Sequence, residues 1–121
     1  MNCKRSGAEN NDIHVDLIQR KGEGACSSIT AEVIPHFRPE AWTPRNLNKV
    51  ERPVRITGHL MFDAIHVPCN GGKRVQGHPA RPSVWEIHPV YRIDVCKAST
   101  IAACPADDDD KWTPLHKAIE D

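Results

Sequence analysis

Hydrophobic and polar residues alternate in four stretches of the chain, and a two-residue period predicts strands. Ile13, Val15 and Leu17 alternate with Asp12, His14 and Asp16. "SITAEVI" (28–34) follows after a segment with two glycines, so these two stretches predict a hairpin. Val54, Ile56, Gly58, Leu60 and Phe62 then alternate with Arg55, Thr57, His59 and Met61, and a glycine inside a strand marks a bulge or sharp bend. In "SVWEIHPVYRIDVC" (83–96), Trp85, Ile87, Pro89, Tyr91, Ile93 and Val95 share one parity. That parity assigns Trp85 and Tyr91 to the core and leaves Glu86 and His88 on the other face. Pro89 lacks a donor for a ladder and belongs at an edge or bulge.

Between the second and third of these stretches, Pro35 and Pro39 end a strand, Thr43 is placed to cap and Pro44 to open a short helix over 43–50. A second Trp-Thr-Pro at 112–114 predicts the same device, with Thr113 as cap and Pro114 first in a short C-terminal helix. "NCKRS" at the front reads as the end of a further strand before the turn "GAENN". The expectation is a mainly β chain: a small curled antiparallel barrel, OB-like, with a short helix between its third and fourth strands and a short C-terminal helix. Its 121 residues suit one domain. The barrel is assigned to 1–104, and 105–121 to an acidic tail with a short helix.

"DIHVDL", "ITAEV", "RPEAW", "RPVRITGHLMFDAIH" and "WEIHPVYRIDVC" together resemble a group of uncharacterised bacterial proteins that share a closing Glu-hydrophobic-His-Pro-Val strand. The resemblance spans roughly residues 12 to 112, and its most specific piece is "GHLMFDAIH" with "WEIHPV". It implies an OB-type barrel, often exported, rather than an activity. The front of the chain departs from it, where a first strand is cut short.

Composition adds limits. Hydrophobic residues make up 39% of the chain, which argues against disorder, while 10 Pro and 7 Gly rule out long helices. Formal charge is zero overall, but residues 1–104 hold 14 Lys+Arg against 10 Asp+Glu and residues 105–121 hold 2 against 6. No apolar run approaches the roughly 18 residues of a membrane span, so no membrane partner is expected. Five cysteines occur without a Cys-x-x-Cys pair, which gives no support to a thiolate zinc site. Cys96 and Cys104 would close a loop in an exported protein, whereas in a reducing cytosol all five would stay free.

The sharpest chemistry is carried by Glu86 and His88, two apart on one strand face, with Asp12, His14 and Asp16 forming a second set and Asp63 and His66 a third. Imidazole nitrogens and carboxylate oxygens ligate divalent ions, and an ion held by neighbouring strands carrying His14 and His88 would activate water. The competing expectation is scaffolding, with the same side chains hydrogen-bonded to fix loops. Arg52, Arg55, Lys73, Arg74, Arg81 and Arg92 form a basic set suited to an anionic ligand or single-stranded nucleic acid, but aromatics are only 5% and the pI is about 7.0. "CNGGKR" lacks the Gly-Lys-Ser/Thr of a phosphate loop, and Asp107–Asp110 lacks the pattern of a calcium loop. The expectation is a noncatalytic ligand-binding or interaction barrel with no cofactor. The alternatives are a metal-dependent, nuclease-like hydrolase and a single-stranded nucleic-acid binder.

Overall fold

The structure, a computed structural model, describes residues 12–20, 22–24, 26, 28–35, 38–62 and 85–119. Within them lie strands β1 (Ile13–Leu17) and β2 (Ile29–Val33), helix α1 (Pro44–Asn48), strands β3 (Val54–Phe62), β4 (Trp85–Cys96) and β5 (Trp112–Pro114), and helix α2 (Leu115–Ala118). The anticipated front strand at "NCKRS" lies outside the described residues, as do Cys3, Cys69 and the "CNGGKR" segment.

The four long-range alternations form one sheet in the order β1-β2-β4-β3, with β5 paired to β4. β1 and β2 make the expected antiparallel hairpin, Ile13 opposite Val33 and Leu17 opposite Ile29. The sheet is mixed rather than antiparallel, because β2 runs parallel to β4 through Thr30↔Glu86 and Ala31↔Ile87. Nor is it closed into a barrel: among the described residues, the main path of strands ends at β1 and β3, each paired on one side only. The helix falls between β2 and β3. Thr43 Oγ1 accepts from Asn46 N at 3.1 Å and Pro44 stands first in α1, so this start signal was legible.

One face of the sheet buries Ile13, Ala31, Val33, Val90, Ile93 and Val95, joined by Trp42 from the segment before α1 and Leu115 from α2. The segment anticipated as a tail therefore supplies part of the core. Its second Trp-Thr-Pro is strand β5 and runs directly into the expected short C-terminal helix: Trp112 pairs with Cys96 and Pro114 with Asp94, and Pro114, not Thr113, is the N-cap residue of α2, which has no side-chain cap. The turn that brings β5 back is closed by the Cys96–Cys104 disulfide, by Lys97 N donating to Lys111 O, and by Trp112 Nε1 donating to Pro105 O at 2.9 Å. Cys26 is also disulfide-bonded.

β3 and β4 part from simple alternation at two points, with Gly58 paired to Val90, Thr57 to Arg92 and Leu60 to Ile87. Tyr91 is therefore an extra residue on β4, and His88 with Pro89 oppose His59 alone. Gly58 sits between these bulges, where a Cβ would press on Pro89 O and lie 2.6 Å from Ile87 Cγ2. Only glycine leaves that approach open. The bulges also correct the core assignment on β4. Tyr91 is 55% exposed, with its hydroxyl 3.0 Å from His59 Nδ1, and Trp85, at the strand's start, is 49% exposed and packs edge-on against Phe62.

Candidate functional site

The polar face opposite the core gathers the residues that the chemistry singled out. Register places them in rows: His14 faces Glu32 across β1 and β2, Asp16 faces Thr30, and Thr30 faces Glu86 across the parallel pair. One step further along, Glu32 stands beside His88. The resulting distances are 3.7 Å from His14 Nε2 to Glu32 Oε1, 3.6 Å from His88 Nδ1 to Glu32 Oε2 and 3.5 Å from His88 Nδ1 to Glu86 Oε1. The strands carrying His14 and His88 are thus not neighbours. Glu32, on the strand between them, links the two.

Burial on this face is deepest on β2 and β4. Glu86 is only 2% exposed, Thr30 1%, and Glu32 is buried as well, while His88 is half-buried and His14 exposed. Glu32 was missed by sequence reasoning because in "ITAEV" it alternates like the outward residue of a half-buried strand. β2 is an inner strand, which is what buries it. Two buried polar atoms, Thr30 Oγ1 and His88 Nδ1, make no hydrogen bond. Asp63 and His66 lie outside the described residues.

The basic set divides differently. Lys73, Arg74 and Arg81 lie outside the described residues, and Arg52 is exposed. Arg55 donates through Nε and Nη2 to Asp94 Oδ2 at 3.1 and 2.9 Å, and through Nη1 to Asp109 Oδ1 and Ala106 O, both at 2.8 Å. Its guanidinium also lies 5.1 Å from the Trp112 ring centroid. Desolvation works to lower the Arg55 pKa, but the hydrogen bonds to Asp109 and Asp94, with their charges, outweigh it and raise the value above the ordinary one. Arg92 Nε donates to Asp94 Oδ1 at 3.0 Å. Arg55 and Arg92 are therefore engaged in holding the 105–111 turn and the buried Asp94 carboxylate.

A cleft of about 730 Å³ runs between the free edges of the sheet. Consecutive residues 12–18 of β1 and its flanks form one wall, Val54 and Ile56 of β3 with Ile93 the floor, and Leu47 of α1 with Val50 after it the far end. Asp12, His14, Asp16, Asn48 and Arg52 supply the polar lining. Lining by successive residues of both parities means that the cleft follows the backbone edge of β1, not just one face. Comparison with protein-family models, with curated proteins and with solved structures finds no match to this chain.

Proposed function

We propose that this is a noncatalytic binding domain whose ligand is an extended peptide segment seated in the cleft between β1 and β3. The observation that carries this is the cleft itself: its volume lies within the range of small-ligand sites, its floor is apolar, and two strand edges that are unpaired among the described residues border it. An added strand would satisfy edge N–H and C=O groups while its alternate side chains cover Val54, Ile56 and Ile93. The order β1-β2-β4-β3, the parallel β2–β4 pair and a helix between β2 and β3 are what four strands of an OB-type barrel would present, and a ligand strand lying between β1 and β3 would close such a barrel. The resemblance to OB-type bacterial proteins supports the barrel part of this reading and not its ligand. The disulfides support an exported protein.

The stretch Asn2–Ser6 offers that floor only Cys3 as an apolar side chain, which favours a strand from outside it. The test is fluorescence polarisation with labelled peptides that alternate Val or Ile with Thr or Lys, on the parent and on Ile56→Glu. Saturable binding that weakens at least tenfold in a folded Ile56→Glu supports the proposal. Absence of binding, or binding indifferent to Ile56, refutes it. Deleting residues 1–11 distinguishes a third outcome, in which the chain's own N-terminal segment competes for the cleft.

Single-stranded nucleic acid is a second possibility, favoured by exposed Phe62, Trp85 and Tyr91 as stacking surfaces. Against it, Arg55 and Arg92 are held by Asp94.

A further inference from the structure

The cluster on the polar face has the chemistry of a metal site, and we propose that Glu32, Glu86 and His88 bind one zinc-class divalent cation that fastens β2 to β4. Their ligand atoms all lie within 4.8 Å of one another. The separations of 3.5 and 3.6 Å from His88 Nδ1 to the two carboxylates exceed ordinary hydrogen-bond lengths. They approach the edge of a tetrahedron whose corners lie 2.0–2.1 Å from a central zinc, about 3.4 Å. His88 Nδ1 is buried without a hydrogen bond and faces both carboxylates, as a ligand nitrogen would.

Thr30 supplies an independent observation. Its hydroxyl is buried and makes no hydrogen bond, it shares a strand face with Glu32 two residues on, and it stands in register with Glu86. A water completing the coordination of an ion would give that hydroxyl a partner. The mixed nitrogen and oxygen donor set, with three protein ligands, selects zinc or a neighbouring transition ion over calcium, which takes six to eight oxygens. His14 is not a fourth member of the tight cluster; its Nε2 stands 3.7 Å from Glu32 Oε1, where it orients the carboxylate. The site would have a structural task, since among the described residues β2 and β4 share two register pairs, Thr30↔Glu86 and Ala31↔Ile87.

The experiment uses the full chain with its disulfides intact and any free thiol alkylated, stripped with chelator and titrated with zinc by calorimetry and with cobalt by absorption. One equivalent should bind, raise the melting temperature and give a cobalt spectrum without a thiolate charge-transfer band. His88→Ala and Glu86→Gln should abolish stoichiometric binding, and His14→Ala should weaken it ~10- to 100-fold. His116→Ala and Asn replacements at Asp107–Asp110 should leave it unchanged. If His88→Ala fails to fold without metal, the imidazole nitrogen resonances of the parent give the answer, because zinc should move those of His88. Failure to bind one equivalent, or binding retained in folded His88→Ala and Glu86→Gln, overturns the proposal; in that event His88 acts only as an ion-pair partner of the two glutamates.

Discussion

Replacing Gly58 by alanine tests the double bulge that shapes the β3–β4 pair. The added Cβ would press on Pro89 O and sit 2.6 Å from Ile87 Cγ2 and 3.1 Å from Val90 Cα. Two of these three neighbours are backbone atoms on β4, an inner strand paired on both sides, so the contact is relieved only by moving the strand. Overpacking of this kind costs about 1–3 kcal/mol, while the lost flexibility of the unfolded chain returns about 0.4–1 kcal/mol. A net destabilisation of ~1–2 kcal/mol follows. For a chain of 121 residues, with an unfolding entropy near 2.1 cal/mol/K per residue, this lowers the melting temperature by about 4–8 °C. Urea unfolding followed by tryptophan fluorescence, with calorimetry alongside, measures it. Because Pro89 adjoins His88, metal binding should weaken in the same variant. An alanine variant within about 0.3 kcal/mol of the parent would show that β4 does not approach Gly58 as described.

Four further outcomes follow from buried partners. Arg55→Met should cost about 2–3 kcal/mol, because Asp94 is buried, whereas Arg92→Met, on a side chain 57% exposed, should cost under ~1 kcal/mol; a double-mutant cycle in urea compares them. Arg55's raised pKa makes its contribution full below the unfolded value and lost only far into alkali, so its own titration should add no slope to stability between pH 6 and 9, which unfolding at several pH values checks. Serine at both Cys96 and Cys104, eight residues apart, should lower stability by about 2.5 kcal/mol by calorimetry. Leu115→Ala, at a side chain with no exposed surface, should cost about 2–5 kcal/mol by urea unfolding, and a negligible effect would show that residues after 104 are dispensable to the core.

Local signals in the sequence were sufficient where neighbours in the chain decide the outcome. The Ile13, Val15, Leu17 alternation and the Thr43-Pro44 start became β1 and α1 because a hairpin and a cap need few distant partners. The β4 assignment failed at Tyr91 because period-two parity assumes an unbroken ladder, and Gly58 and Pro89, both visible as irregularities, break it from opposite strands. Trp112-Thr113-Pro114 resembles Trp42-Thr43-Pro44, yet forms a strand because the Cys96–Cys104 turn delivers it to the end of β4. Glu86 and His88 were recognisable as a pair, but Glu32 was not, since only the parallel β2–β4 pairing brings it to them. No local pattern announces a pairing across more than fifty residues.

Residue-resolved amide hydrogen exchange tests the binding cleft most directly, measured on the parent with and without a saturating alternating Val/Thr peptide. Strand addition predicts slowed exchange at outward-facing amides of both Ile13–Leu17 and Val54–Phe62, the two edges that border the cleft, with β2 and the β4–β5 pair little changed. Protection confined to the exposed Phe62, Trp85 and Tyr91 surface, with both edges exchanging as in the free protein, would contradict it.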